Sequence, residues 1–173
     1  MAPAARPVRS QVSEAARQGV FEAYGKLPLI FERNQGQARP ETEFVARGGG
    51  YTLLLLRSGE AVLGLRGGGK SPVPVLRMKL LGASAGAVEG REEQPGRSNY
   101  FIGSDPAGWH TGIPNYAQVA YGQVYPGVDL VYYGNQRRLE YDFVVAPGAD
   151  PGLIRLELEG RGGCGWRAAA TWW

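Results

Sequence analysis

The sequence predicts an all-β, antiparallel, sandwich-like module with a short N-terminal helix. Three observations carry that expectation. The 27 glycines and 12 prolines among 173 residues punctuate the chain at short intervals, as strand-and-turn proteins require. Between them lie short runs of Val, Leu, Tyr and Phe, many alternating apolar with polar, the period of a strand with one wet face. No fixed-period repeat is present, so the stretch is neither a propeller nor a solenoid in itself.

Taken in order, residues 1–9 form a leader without pattern. Ser10 or Ser13 can cap a short helix through Gln18, with Val12, Ala16, Val20 and Tyr24 as a weak stripe and Gly25 as its end. After Pro28 the period becomes that of strands. Leu29-Ile30-Phe31 is short and apolar, Asn34-Gln35-Gly36-Gln37 is turn chemistry, Phe44-Val45-Ala46 is a second strand and Gly48-Gly49-Gly50 a sharp turn. Residues 51–56 and 60–66 follow as strands around Ser58-Gly59. In 75–81, Leu76, Met78 and Leu80 face inward while Arg77 and Lys79 face water.

Residues 83–96 are small, polar and Gly-rich, which predicts a loop or an edge hairpin. Ser98-Asn99-Tyr100-Phe101-Ile102-Gly103 is strand-like, and Asp105-Pro106 starts a turn that delivers Trp109. Residues 116–124 and 128–133 are strands around Pro126-Gly127. Gly134-Asn135-Gln136 then closes a hairpin onto 139–145. There Leu139, Tyr141, Phe143 and Val145 share one face, and Glu140 and Asp142 the other. After the 147–151 loop, Ile154, Leu156 and Leu158 form a last inward face.

The pattern breaks at Gly160. Residues 161–173 have neither strand nor helix period and end on Trp172-Trp173. That composition is expected of a tail translated out of frame, which the nucleotide sequence tests. The expected organisation is thus a flank over 1–25, a β-module over 26–160 truncated at its C-terminal end, and an aberrant tail over 161–173.

The formal net charge is +3, but the excess sits in Arg6, Arg9 and Arg17 of the flank and in Arg161 and Arg167 of the tail. The module itself is near neutral, which argues against nucleic acid as a partner. The single cysteine, Cys164, excludes an internal disulfide framework. No stretch is long and apolar enough to span a bilayer as a helix, and the first twenty residues lack the apolar core of a secretory signal.

Few residues suggest chemistry. Glu140 and Asp142 leave one face of a strand and, with Asp129 from the partner strand, can serve acid–base work or Ca²⁺; a solvated strand face is the plainer reading. Asn34, Gln35 and Gln37 suit a sugar or peptide contact, or a tight turn. Trp109, as one of many aromatics, can stack on a sugar or pack in the core, and Asn135 joins these candidate ligand contacts. His110, the only histidine, reads as an exposed turn residue. No catalytic residue, metal set or cofactor motif is identified.

Several blocks occur in a distinctive order. They are Leu27-Pro28-Leu29-Ile30-Phe31-Glu32 before Asn34-Gln35-Gly36-Gln37, then Gly50-Tyr51-Thr52-Leu53, then Ser98-Asn99-Tyr100-Phe101-Ile102-Gly103 leading to Trp109. The longest runs from Tyr125-Pro126-Gly127-Val128-Asp129-Leu130-Val131-Tyr132-Tyr133-Gly134-Asn135 through Leu139-Glu140-Tyr141-Asp142-Phe143 to Pro147-Gly148-Ala149-Asp150-Pro151. Over residues 24–160 the chain resembles the uncharacterised N-terminal domain of secreted bacterial proteins that carry seven-bladed β-propeller-type repeats further on. The resemblance implies an extracellular or cell-surface setting and an all-β fold. It also implies downstream repeats as partners, and no catalytic residue to carry over. The expected role is a non-catalytic module that caps the repeats or contacts surface polysaccharide or protein. A carbohydrate-binding module, and then a glycan-active enzyme using Glu140 and Asp142, are the alternatives.

Overall fold

The computed structural model describes residues 29–65, 73–84, 86–135 and 138–160, and the backbone alone of 161 and 167–171. The helix expected within 10–18 lies outside these residues. Those described form an all-β, antiparallel fold with no α-helix. Its strands are β1 Phe31–Arg33, β2 Thr42–Arg47, β3 Tyr51–Leu56, β4 Ala61–Leu65, β5 Val75–Leu80 and β6 Val88–Tyr100. They continue with β7 His110–Tyr125, β8 Val128–Asn135, β9 Arg138–Val145, β10 Arg155–Arg161 and β11 Arg167–Thr171. Two 3-10 turns, Pro106–Gly108 and Pro151–Leu153, each begin at an Asp-Pro pair. Asp105 accepts from the Ala107 N–H at 2.9 Å and Asp150 from the Gly152 N–H at 2.8 Å. Proline fills the first position, where no N–H is needed.

One sheet holds all eleven strands in the order β11-β10-β5-β4-β3-β2-β1-β7-β8-β9, with β6 also paired to β7. The sixteen residues of β7 make it the hub. β6 runs along it from Val88↔Tyr121 to Tyr100↔His110. Its other edge is divided between β1, at Phe31↔Tyr116, and β8, from Gln118↔Tyr133 to Tyr125↔Val128. A strand edge takes one partner per position, so the sheet splits along β7 and curls into two facing wings. One wing is β1 to β5 with β10 and β11; the other is β8 and β9 with the second half of β7.

The core lies between the wings. Phe31, Phe44, Leu53 and Leu55 meet Val119, Tyr121, Leu130 and Tyr132, all fully buried. Buried tyrosines tie the wings together by their hydroxyls. Tyr121 donates to the Leu56 carbonyl at 2.9 Å, and Tyr125 to the Leu81 carbonyl at 3.0 Å. Each leaves its ring in the core while its polar end satisfies backbone at a strand end. Gly134 admits the chain of Leu29, whose Cβ and backbone would collide with any side chain there.

Three local expectations differ from the fold. The Gly-rich stretch expected as a loop or edge hairpin over 83–96 mostly lies in β6, a strand of 13 residues. Its register shifts between Gln94 and Arg97 and between Ser98 and Tyr100, and Glu92 has a φ of 56°. These irregularities let a poorly alternating segment follow β7, whose backbone supplies the template. His110, expected in a turn, opens β7 instead. Residues 167–171, expected to lack any period, form β11, paired along β10 from Arg155↔Thr171 to Glu159↔Arg167. A free strand edge selects backbone, not side-chain pattern.

Candidate functional site

The amide-rich turn is built around Asn34. Its Nδ2 donates to the carbonyls of Arg39 at 2.9 Å and Thr42 at 2.8 Å, while its Oδ1 accepts from the N–H groups of Gly36 and Ala38, both at 3.1 Å. Gln37 donates from Nε2 to the Arg33 carbonyl at 2.8 Å and accepts at Oε1 from the Gln35 N–H at 2.7 Å. Both side chains spend their hydrogen-bonding groups on the loop itself. The imidazole of His110 lies against Gly36, so this turn sits at the start of β7.

Trp109 lies in the 101–109 connection between β6 and β7. Its Nε1 donates to the Gly103 carbonyl at 3.2 Å, and its ring meets Phe101 edge to face, 5.1 Å between centroids at 89°. Phe101 and Ile102 are 64% and 68% exposed. Two rings at right angles offer no flat two-ring platform for a sugar. Beside this loop, Tyr100 of β6 hydrogen-bonds to Glu32 of β1, which also accepts from Arg47 of β2 at 2.9 Å. Burial, and then the Glu32 contact, push the Tyr100 phenol up to about 12.

The outer face of β8 and β9 carries the carboxylates singled out from the sequence. Register places Tyr133 opposite Glu140, Val131 opposite Asp142 and Asp129 opposite Val144, so all three acids share this face. Tyr133 donates to Asp142 at 3.0 Å, and that bond raises its pKa to about 12. Asn135 donates to Glu140 at 3.1 Å. Asp129 instead turns toward the β7–β8 connection and accepts from the Gln123 N–H at 2.7 Å, where Gln123 has a φ of 54°. Among the described residues, no three His, Cys, Asp or Glu converge as a metal set.

A groove of about 700 Å³ crosses the opposite outer face, over β2 to β5 and β10. Its charges are matched in pairs: Arg77 to Glu60 at 2.6 Å, Lys79 to Glu159 at 3.1 Å and Arg39 to Glu41 at 4.0 Å. It carries no excess charge for a ligand to answer.

A different feature appears where the wings fail to close. An open slot of about 230 Å³ separates Leu63, Leu76, Met78 and Leu158 of β4, β5 and β10 from Leu139 and Tyr141 of β9. Its wall includes Tyr132, fully buried, whose hydroxyl has no hydrogen-bond partner. Burial pushes that phenol well above its usual value, so it stays protonated. Leu76 and Tyr141 at the mouth are each 37% exposed. Tyr51 of β3 holds β9 near the slot by a hydrogen bond to the Leu139 backbone. Sequence alternation marks Leu76, Met78, Leu139, Tyr141 and Leu158 as inward-facing. That the two wings meet here without sealing has no local signal.

Among the described residues no helix is long and apolar enough to cross a membrane. Neither the curated proteins nor the solved structures contain a match to this chain. A family model described as a domain of unknown function, DUF7948, matches residues 31–167, from β1 into β11. With most of the chain and nearly every strand inside that match, the chain belongs to the DUF7948 family of domains of unknown function.

Proposed function

We propose that this chain is a non-catalytic interaction module whose open apolar slot seats part of a partner polypeptide. The observation that carries this reading is the slot. It is lined only by apolar and aromatic side chains and stays open between two wings that otherwise bury their core. Contiguous apolar surface left open in a folded domain marks a place of contact. The resemblance noted in the sequence supplies the setting: the N-terminal end of a secreted bacterial repeat protein, with the downstream repeats as the partner.

The competing readings have less support. Glu140 and Asp142 lie on an open strand face, each hydrogen-bonded to a neighbouring side chain, where a glycan-active site needs opposed carboxyls in a cleft. Phe101 and Trp109 are perpendicular, which disfavours sugar stacking.

Site-specific photo-crosslinking in the full-length parent protein tests the proposal. A benzoylphenylalanine at Leu76 is expected to give a defined adduct with the partner segment, and one at exposed Arg57 is not. Equal yields from the two positions, or none from Leu76, would overturn it.

A further inference from the structure

We infer that the free edge of β9 takes up an extended partner segment in which apolar and basic residues alternate. This rests on the interaction-module reading and names the partner's chemistry. β9 ends the sheet: it pairs with β8 from Val128↔Val145 to Asn135↔Arg138, and no described strand pairs with its other edge. Leu139 on that edge is already engaged by Tyr51, but from Tyr141 to Val145 the outward N–H and C=O groups have no described strand beside them and form a template for a further strand. The inward face of β9 is also short of cover, with Tyr141 and Val145 each 37% exposed. Across the slot from it stand Leu76, Met78 and Leu158. A strand laid beside β9, at the usual spacing of about 4.8 Å, directs alternate side chains into that slot. One added element therefore completes both the sheet and the core.

The outward face decides the remaining positions. Glu140 and Asp142 stand there beside Arg138; their hydrogen-bond partners are the neutral Asn135 and Tyr133, and neither forms an ion pair among the described residues. The intervening residues of an added strand lie beside these carboxylates, where Lys or Arg is favoured and acid disfavoured. Antiparallel pairing of two β9 edges sets Glu140 and Asp142 against each other or against Arg138 according to register, so a second copy of this chain answers these acids less consistently than a basic segment does.

The test uses the full chain and three nine-residue capped peptides: alternating Val and Lys, alternating Val and Glu, and the Val–Lys composition rearranged into blocks. Binding is measured by calorimetry and located by amide hydrogen exchange. The Val–Lys peptide is expected to bind at least tenfold more tightly than the other two and to slow exchange over 141–145. Added salt is expected to weaken it. The pair Glu140→Lys and Asp142→Lys is expected to reverse the preference to Val–Glu. The milder pair Glu140→Gln and Asp142→Asn, which keeps side-chain size, is expected to abolish the preference. Val–Lys binding no tighter than the blocked peptide, or protection elsewhere than β9, overturns the inference. Equal affinity for Val–Lys and Val–Glu overturns the basic assignment, and dimerisation that protects β9 without peptide overturns the choice of partner. A Leu76 adduct in the parent protein together with a failed peptide experiment removes this inference while leaving the interaction-module reading intact.

Discussion

Two side chains separate the stability of this chain from its function. Asn34 makes four hydrogen bonds that close the turn between β1 and β2. Asn34→Ala removes a partner from the Thr42 carbonyl and the Gly36 and Ala38 N–H groups, while the Arg39 carbonyl keeps the Thr42 N–H at 3.0 Å, and is expected to cost about 2 kcal/mol in urea unfolding. A loss below half of that would mean that water replaces these bonds readily. Tyr132 runs the other way. Its buried hydroxyl has no partner, so it contributes a desolvation cost without a bond. Tyr132→Phe is expected to raise stability by about 1 kcal/mol, and destabilisation by as much would show that the hydroxyl is satisfied in solution. Asn34 was singled out from the sequence because turn geometry is local and Asn-x-Gly is a local signal. Tyr132 was not, because the lack of a partner depends on what the other wing places around it.

At the scale of elements, β1, β2 and β6 are joined on the outer face by Glu32, Arg47 and Tyr100. The folded state holds the Tyr100 phenol at about 12 against an ordinary value of 10.0. Between those values the folded chain keeps a proton that the unfolded chain has lost. Stability is therefore full below about pH 10 and declines as pH rises toward 12. Tyr121 and Tyr132 are shifted in the same direction by burial, so the alkaline limb is expected to be steep. Tyr100→Phe is expected to make the fall in stability between pH 10 and 12 shallower, measured by denaturant midpoints at stepped pH. An unchanged slope would place that titration elsewhere. β6 itself was hidden in the sequence. Its Gly, Pro and Glu residues do not alternate, and only the length of β7 draws them into a strand.

For the whole molecule, a sheet that branches at β7 implies uneven protection. Strands β2, β3, β7 and β8 have neighbours on both sides and supply most of the fully buried residues, whereas β6, β9 and β11 each pair with one described strand. Amide exchange of the free chain is expected to be slowest in β3 and β8 and at least tenfold faster in β9 from Tyr141 onward. Equal protection of β8 and β9 would mean that the edge is already covered. The pairings that create this arrangement are distant in sequence: β1 with β7, and β5 with β10, where Lys79 and Glu159 meet at 3.1 Å.

Alternation along single strands was enough to establish the all-β class and to place Leu139 and Tyr141 inward and Glu140 and Asp142 outward. It was also enough to put Met78 and Leu156 in the core. Those are consequences of the two-residue repeat of an extended backbone, which each segment carries by itself. Which strands become neighbours, where the sheet splits along β7, and that its wings leave a slot beside an unpaired edge were decided only by the folded chain. Backbone hydrogen bonds are the same for every residue, so they select partners through chain connection and core packing rather than through any local pattern.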